Sequence, residues 1–494
     1  MFDRTVAPLL DILQHVAQKD SAPFYVPGHK KGRGAPPKLL QWWGNEVFRA
    51  DLTELPQLDN LAAPEGAIAE AQALAAAAFG ARRTWFLVNG STAGIVAAIL
   101  ATCQSGDKII LPRNAHKSAI SGLILAGAIP IFVHPTYDRN WNLPLGVSPA
   151  AVAAALEAHP DAKAVMVVSP TYQGVCSNIA SIAQIAHQRQ IPVIVDEAHG
   201  AHFTFHPDLP TPALEAGADV AIQSTHKVLG ALTQASMLHV RGDRIDEGQL
   251  DRALQLVQSS SPSYLLMASL DAARQQMATT GRSLLSQTLQ LAQKARTQLS
   301  EIPQLSILEM PLSPTPGFFD LDPTRLMVKV TGLGMSGYDA DEVLDDRFEV
   351  TAELVERSYL GFAISLGNTT ADIDRLIEGF VTLSEESAQL HSNSQNESLL
   401  DISHPETSYA LPPMSPREAF FAPLETIPVS RSVGCLSGEL ICPYPPGIPV
   451  LMPGEEITQT AIDVLQQVRD LGGTITGCSD PNLETIQVVR GRSI

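Results

Sequence analysis

The sequence predicts an α/β protein built on a mainly parallel sheet of seven strands with helices on both faces. Between residues 84 and 240, short apolar runs alternate with Ala-rich helical patterns. Runs that are apolar throughout are typical of strands buried on both faces, and their alternation with helices is typical of a doubly wound sheet. The predicted strands are residues 85–88, 108–111, 129–133, 164–168, 191–195, 218–222 and 235–240.

The helical patterns complete this large domain and lead into two further modules. A long helical stretch at 263–299 precedes a smaller α/β unit, and a segment rich in Ser, Asn, Glu and Pro then lacks sustained periodicity. A Pro-rich loop and a closing helix at 458–471 follow. We therefore predict four segments: 1–262, the N-terminal segment with the large domain; 263–387, the small α/β domain; 388–415, a linker; and 416–494, a C-terminal α+β module.

The predicted helices of the large domain are residues 65–79, 94–103, 118–126 and 179–188, and the small domain is predicted to contain strands 306–309, 326–330 and 360–365 and a final helix at 371–387.

Composition excludes several classes of function. The 494 residues, 45% of them hydrophobic, are enough for about three domains. A net charge of −19 without a basic run argues against nucleic acid or an anionic membrane as a partner. The five cysteines form no C-x-x-C pair, the N-terminus lacks a signal-peptide pattern, and the apolar window 119–133 is too short to span a bilayer. We expect a cytoplasmic protein without a membrane segment.

A lysine and an acid follow two of the predicted strands. Asp196 comes directly after the run 191–195, and Lys227 follows the run 218–222. Open α/β sheets bind ligands at the carboxyl ends of their strands, so both side chains are expected at that edge. Lysine can carry pyridoxal phosphate as a Schiff base, and an acid can keep its pyridine nitrogen protonated. That positive charge should lower the pKa of Asp196. The alternative is a surface lysine and an unrelated strand-end acid.

The segment 89–94 provides a candidate phosphate site. It follows a strand and opens a helix, so backbone N–H groups and the hydroxyls of Ser91 and Thr92 can bind an anion. Simple N-capping by Ser91 would explain the same residues. Ser224, just before Lys227, can add a third hydroxyl.

Histidines near these strand ends have several possible roles. His116 can stack on a cofactor ring, although its neighbour Lys117 is a rival for the Schiff base. His199 can support Asp196 or a ring hydroxyl. His202 and His206 have the i, i+4 spacing of metal ligands, but the sequence between them favours extended or irregular chain. We therefore predict no metal site.

The chain also resembles a known family, the bacterial, aminotransferase-like Orn/Lys/Arg decarboxylases. These have the fold of the PLP-dependent transferases, fold type I, which the resemblance implies here. The resemblance rests on eight blocks: Pro27–Lys30 with Gly32–Gly34, Asp51–Leu55, Val88–Thr92, Arg113–Ser118, Ser169–Tyr172, Asp196–His202, Ser224–Lys227 and Pro443–Pro449.

The resemblance implies roles at the matching positions. Lys227 would carry pyridoxal 5'-phosphate, Asp196 would pair with the pyridine nitrogen, and His116 would stack on the ring. The implied phosphate contacts are Ser91, Thr92, Ser224 and His226, and Thr171 is a further implied cofactor contact. The family's subunits pair with active sites at the interface, so a homodimer is expected. The chain lacks the N-terminal wing domain of the large acid-stress members, which puts higher ring assemblies in doubt.

The implied reaction is decarboxylation of a basic L-amino acid to an amine of the polyamine pathway. Arginine is favoured by resemblance to wingless members, with lysine and ornithine next. Reprotonation requires an acid, and the sequence leaves His226 and Lys227 open. Aminotransferase activity and a catalytically silent regulatory paralogue are the alternatives, and Arg325 or Arg357 would serve an aminotransferase.

A cationic side chain needs a carboxylate partner in the substrate pocket. Glu439, just before the Pro-rich loop, is the first candidate, and Asp51, Glu54 and Asp59 are the others.

Overall fold

A computed structural model of the chain describes residues 3–390, 409, 411–444, 447–470 and 472–493. The backbone divides into two compact units. The first comprises Met1–Ala101 and Ile194–Ser286, and the second comprises Thr102–Val193 and Gln287–Ile494. Most of the predicted linker, at 391–408 and 410, lies outside the described residues, as do residues 445 and 446 of the Pro-rich loop.

Seven strands form one sheet, which confirms the predicted architecture. In chain order the strands are β1 (Arg83–Leu87), β2 (Lys108–Pro112), β3 (Ile129–Val133), β4 (Ala164–Val168), β5 (Val193–Asp196), β6 (Val220–Gln223) and β7 (Ser236–Val240). Their order in the sheet is β1-β7-β6-β5-β4-β2-β3. The pairs β5–β6, β2–β4 and β2–β3 are parallel, whereas β7 is antiparallel to both β1 and β6.

These strands form where the sequence is apolar and β-branched. Every residue of β5, β6 and β7 is buried, as expected for strands covered on both faces. Burial extends to polar residues in β6 and β7, which therefore need hydrogen-bond partners inside the protein.

In the sequence, helices of the first unit precede and follow its strands. The segment 65–79 contains the observed helix Ala67–Phe79, and the helix predicted at 94–103 begins earlier, at Gly90. The long helix predicted at 263–299 is Tyr264–Ser300. Helices that begin in this unit are Pro8–Gln18, Pro37–Trp43, Asn45–Ala50, Ala67–Phe79, Gly90–Thr102, Thr225–Val228, Glu247–Val257 and Tyr264–Ser300, with a 3-10 turn at Phe203–Phe205.

The second unit contains the remaining helices and several smaller sheets. An antiparallel sheet of four strands includes all three strands predicted near 306, 326 and 360, and its order is Ser306–Ile307, Arg325–Lys329, Tyr359–Ala363, Leu354–Val355. The helices are Lys117–Ala126, Pro149–Ala158, Ile179–His187, Gly337–Phe348, Thr370–Leu390, Pro416–Phe421 and Gln459–Asp470, with 3-10 turns at Thr331–Leu333 and Val429–Arg431.

The C-terminal part of this unit has its own core. Leu424–Pro428, Thr485–Ser493 and Cys435–Ser437 form a three-stranded antiparallel sheet, and Cys442–Tyr444 pairs with Thr474–Thr476. A cluster of buried aliphatic side chains fills the space between these strands and the helix Gln459–Asp470. Two further antiparallel pairs join Tyr137–Asp138 to Leu143–Pro144 and Val175–Cys176 to Asp320–Leu321.

Within the described part of the chain, every helix is too short or too polar to serve as a transmembrane span.

Candidate active site

The first unit places Asp196 and Lys227 at the carboxyl ends of neighbouring parallel strands. Asp196 is the last residue of β5 and lies opposite Ile222 of β6 in the strand register. Lys227 lies in the single helical turn Thr225–Val228 that follows β6. The two side chains interact electrostatically, as the effect of Lys227 on the pKa of Asp196 shows. This is the placement that the sequence predicts for an acid and a lysine serving one ligand.

Burial dominates the electrostatics of Asp196. The residue is 6% exposed, and burial raises the pKa of its carboxyl group. The positive charge of Lys227 and the N–H of Ala198, which donates to Oδ1 at 3.2 Å, act in the opposite direction. Burial therefore disfavours the ionised carboxylate, and the pKa of Asp196 is raised, not lowered as the sequence analysis predicts. The lowered pKa was predicted beside a protonated pyridine nitrogen, whose positive charge would favour the carboxylate.

Lys227 has a histidine partner. Its Nζ lies 3.0 Å from Nε2 of the buried His199. A lysine must lose a proton before it can attack a carbonyl carbon, and a neutral imidazole at this distance can accept that proton. The sequence indicated that His199 would support Asp196 or a ring hydroxyl; the observed contact gives it a role at the lysine as well.

Two hydroxyls meet at the start of a helix. Ser224 Oγ donates to Ser91 Oγ at 2.8 Å, and Ser91 and Thr92 lie in the first turn of the helix Gly90–Thr102. The first-turn N–H groups of a helix lack intrahelical partners and favour anions. The donors present here suit a phosphate group.

Gly94 lets this helix pack closely on the sheet. A Cβ atom at this position would lie 2.7 Å from Leu87 Cδ1 and 2.8 Å from Ile222 Cγ2, side chains of β1 and β6. Any larger residue would require the helix or these two side chains to shift. The glycine therefore permits the close approach of this helix to β1 and β6.

The tautomer of His226 is set by the backbone. Nδ1 lies 2.9 Å from the carbonyl oxygen of Ala235, and a carbonyl oxygen can only accept, so Nδ1 carries a hydrogen. In the neutral ring, Nε2 is then an acceptor. His226 can therefore donate a proton from Nε2 only when the ring is doubly protonated. Its candidate role as the reprotonating acid requires that form of the ring.

His116 and Thr171 lie in the second unit. His116 is the N-cap of the helix Lys117–Ala126, and its Nδ1 accepts the N–H of Ser118 at 3.2 Å and lies 2.9 Å from Ser118 Oγ. Thr171 is buried, and its hydroxyl oxygen accepts the N–H of Val175 at 3.2 Å. The backbone thus fixes both side chains. Their roles toward a cofactor stay predictions.

Glu439 also lies in the second unit, where its carboxylate joins parts of the C-terminal module. It is 7% exposed, Oε1 accepts the N–H of Ser479 at 2.6 Å, and Oε2 accepts the N–H of Gln487 at 3.0 Å. A substrate cation would have to share these oxygens with two backbone donors. The structure gives Glu439 a structural function, and binding of substrate by Glu439 stays a prediction.

The other candidate acids also have partners. Asp51 Oδ2 lies 3.1 Å from Nε2 of His29, and Glu54 Oε2 accepts from Asn60 Nδ2 at 3.3 Å. Asp59 precedes the helix Ala67–Phe79, and its carboxylate accepts five backbone N–H groups, including that of Gly66 at 2.8 Å. Asp59 therefore caps local backbone, in the way that acids at helix starts commonly do.

His202 and His206 are separated by a single 3-10 turn, Phe203–Phe205, where the sequence indicated extended or irregular chain. His206 Nε2 lies 2.9 Å from Ser286 Oγ, and its Nδ1 accepts the N–H of Asp208 at 3.2 Å. Both ring nitrogens of His206 thus have protein partners.

A buried network of polar side chains, which the sequence analysis does not predict, includes Glu197 and Gln223, the sequence neighbours of Asp196 and Ser224. Thr84 Oγ1 lies 2.8 Å from His239 Nδ1, and His239 Nε2 lies 3.1 Å from Gln223 Oε1. Gln223 Nε2 in turn donates to Glu197 Oε2 at 2.8 Å, and Glu197 Oε1 accepts the N–H of Ala213 at 2.7 Å. His239, a polar residue in a mostly apolar strand, is the sequence signal that could have indicated it.

The donor and the acceptor of each hydrogen bond in this network can be assigned. The amide oxygen of Gln223 can only accept, so His239 carries its hydrogen on Nε2, and Nδ1 accepts from the hydroxyl of Thr84. Burial lowers the pKa of His239 to about 3, which keeps the ring neutral. The hydrogen bonds therefore run in one direction, from Thr84 through His239 and Gln223 to the carboxylate of Glu197.

Glu197 is expected to make the stability of the protein depend on pH. Burial raises its pKa from 4.5 to about 7. The folded protein therefore retains a proton that the unfolded chain has lost, so stabilisation present below pH 4.5 is lost as the pH rises through about 7. The loss is about 3 kcal/mol, from about 1.4 kcal/mol per pKa unit. In urea unfolding (), the loss of stability between pH 4 and pH 8 should be about 3 kcal/mol larger for the parent protein than for Glu197→Gln.

The exposed Glu215 of the same unit is the matched control. Glu215→Gln should leave the pH dependence of the unfolding free energy unchanged. Parallel pH profiles for the parent protein and Glu197→Gln would contradict a titration of Glu197 in this range.

Comparison with known proteins gives a second line of evidence on the function of this site, independent of its geometry. The family model described as Orn/Lys/Arg decarboxylase, major domain, matches residues 7–356, and the model for the C-terminal domain of that family matches residues 403–480. A protein of Bacillus subtilis named arginine decarboxylase is 38% identical over 488 residues, which cover 98% of each chain. A protein of the same name from Halalkalibacterium halodurans is 39% identical over 484 residues, covering 98% of this chain and 97% of that protein.

A solved structure with the same fold is the lysine decarboxylase LdcF of Francisella novicida. It superposes with a TM-score of 0.81 at 22% identity, covering 98% of this chain and 81% of that chain. At this identity the likeness shows the fold.

Proposed function

The chain belongs to the Orn/Lys/Arg decarboxylase family, and on that premise we propose that it uses pyridoxal phosphate to decarboxylate a basic L-amino acid. Arginine is the favoured substrate, followed by lysine and ornithine. The reaction releases the α-carboxyl group as CO2 and puts a proton in its place, which gives the corresponding amine. The observation that carries the proposal is the placement of Asp196 and Lys227 at adjacent parallel strand ends, with His199 3.0 Å from the lysine amine.

The donor set of the first unit fits this cofactor. Lys227 provides the amine that would bond to the aldehyde carbon, and Ser91 and Ser224 provide hydroxyls at a helix start for the phosphate. Asp196 provides a buried carboxyl group whose pKa is raised by burial and lowered by the positive charge of Lys227. When bound, pyridoxal phosphate supplies an electron-accepting ring for the electron pair that the departing CO2 leaves behind.

The residues of this chain then have separate tasks. Asp196 would hold a proton on the pyridine nitrogen of the bound cofactor, and that positive charge would favour the ionised carboxylate, which burial disfavours. His199 exchanges a proton with Lys227 Nζ when the amine enters or leaves its covalent bond. Delivery of the final proton to the α-carbon falls to Lys227 or to doubly protonated His226, whose backbone contact fixes its ring.

Arginine is favoured because two full-length relatives at 38% and 39% identity are named arginine decarboxylase. A lysine decarboxylase of Pseudomonas aeruginosa is less similar, at 27% identity over 92% of this chain.

The proposal includes a homodimer in the cytoplasm. The N-terminal segment exposes large apolar side chains, among them Phe24 at 96% and Trp42 at 79%, which a second copy would cover. All five cysteines are free thiols, as suits a reducing compartment. Sedimentation of the purified protein should give twice the mass of one chain.

The expected result with purified, cofactor-loaded protein is release of CO2 and the matching amine from arginine, faster than from lysine or ornithine under identical conditions. Agmatine, cadaverine and putrescine are measured separately, with and without added pyruvate as an amino-group acceptor. A dominant rate with lysine or ornithine would reassign the substrate. Consumption of pyruvate without CO2 release would replace decarboxylation by amino-group transfer.

A further inference from the structure

A glycine of the C-terminal module lies against the ring of His116. Gly447 is buried and has φ +83°, and a Cβ atom there would lie 3.2 Å from Nε2 and 3.3 Å from Cδ2 of His116. Contacts of 3.2 to 3.3 Å are tighter than ordinary van der Waals distances, so a side chain at 447 would force the ring to move. The absence of a side chain thus sets the space available to His116.

The opposite edge of the same ring is also fixed. Nδ1 of His116 accepts the N–H of Ser118 at 3.2 Å and lies 2.9 Å from the hydroxyl of Ser118. The backbone of the helix Lys117–Ala126 therefore orients Nδ1, while Gly447 bounds the Nε2 and Cδ2 edge. Together these contacts restrict rotation of the imidazole about its bond to Cβ.

A polar clamp holds the loop of Gly447 in this position. Arg113, whose side chain is 10% exposed, donates to the carbonyl oxygens of Pro449 at 2.7 Å and Val450 at 3.0 Å and forms an ion pair with Glu455 at 2.9 Å. The N–H of Lys117 donates to the carbonyl oxygen of Gly447 at 3.1 Å. The clamp therefore joins the C-terminal module to residues on both sides of His116 in the chain.

We infer that the C-terminal module is a positioning element for the cofactor-binding residue His116, acting through Gly447 and the Arg113–Glu455 clamp. This inference rests on the proposed function, in which His116 contacts the pyridoxal phosphate ring. Gly447 and Glu455 touch neither cofactor nor substrate in this account. They act through the orientation of the imidazole, so their loss should alter cofactor binding without removing a cofactor contact.

The test compares two glycines with the same φ. Gly434 belongs to the same module and also has φ +83°, but a Cβ atom there would meet nothing within 4 Å. Gly447→Ala and Gly434→Ala therefore both place a side chain at a positive φ, and only Gly447→Ala displaces His116. Affinity for pyridoxal phosphate and the visible circular dichroism of the bound cofactor are the readouts.

The expected result is an affinity about tenfold weaker in Gly447→Ala (), with an altered dichroic band, and parent-like values in Gly434→Ala. In a His116→Ala background, Gly447→Ala should have no further effect on affinity, because the residue through which it acts is gone. Equal effects of the two glycine variants, or an effect of Gly447→Ala that persists without His116, would overturn the inference. A parent protein that binds no pyridoxal phosphate would reject the proposed function itself.

A second pair of variants tests the clamp without changing backbone strain. Glu455→Gln removes the charge that Arg113 binds, whereas Glu386→Gln removes the charge from the exposed ion pair Arg347–Glu386, in which both side chains are 46% exposed. Weaker cofactor binding in Glu455→Gln alone supports positioning through the clamp. Unchanged cofactor binding and dichroism in both variants would show that the Arg113–Glu455 clamp does not position His116.

Discussion

Replacing Lys227 by alanine is expected to lower the turnover of arginine by at least about a thousandfold, the scale on which loss of a covalent catalytic group acts. The variant loses the amine that would bond to the cofactor and the partner of His199. It should remain folded, because the shortened side chain leaves the strand and helix hydrogen bonds around β6 intact. Amine release by mass spectrometry and the unfolding midpoint in urea measure the two effects separately.

Lys117→Ala is the matched control for this variant. Lys117 was the rival candidate for the covalent bond, and its Nζ lies 5.6 Å from the centre of the Tyr444 ring. This replacement should therefore lower turnover much less than Lys227→Ala does. Appreciable turnover by Lys227→Ala together with an inactive Lys117→Ala would transfer the covalent role to Lys117.

The strands and the two residues at their ends could be predicted because their signals are local. A strand buried on both faces has a continuous apolar run, and the runs at 191–195 and 218–222 correspond to β5 and β6. Parallel strands have their carboxyl ends at one edge, so both Asp196 and Lys227 were expected at that edge. That their strands are neighbours is seen only in the structure.

Contacts that depend on strand order could not be predicted from local sequence patterns. The antiparallel β7 lies between β1 and β6, and only this order brings His239 between Thr84 and Gln223. No local pattern encodes which strands are neighbours in a sheet. The approach of Gly447 to His116 is hidden for the same reason, since it depends on how the C-terminal module docks within its unit.

Glu439 shows a different limit of sequence reasoning. Its position before a Pro-rich loop suggested a carboxylate that binds the substrate cation, but its carboxylate accepts the N–H groups of Ser479 and Gln487. A carboxylate that satisfies distant backbone donors cannot be distinguished by sequence from one that faces a pocket.

Asp196→Asn is expected to separate stability from function. Asparagine keeps the size of the side chain, and its oxygen can still accept the N–H of Ala198, which donates to Asp196 at 3.2 Å. Burial raises the pKa of Asp196 above its ordinary value of 3.8, so keeping this carboxyl group ionised at neutral pH lowers the stability of the cofactor-free protein. The uncharged asparagine avoids that loss. The cofactor-free variant should therefore be at least as stable as the parent protein at pH 7 () when unfolded in urea.

The same variant should lose about a hundredfold or more in turnover, the effect expected when one preorganised electrostatic group is removed. A neutral amide cannot hold a proton on the pyridine nitrogen as a carboxylate does, so the ring accepts electrons poorly. Comparing turnover and unfolding in one set of preparations distinguishes this account from simple damage to the fold, which would lower both. Parent-like turnover in Asp196→Asn would show that the buried acid has no part in the reaction and that its position at the end of β5 serves the fold alone.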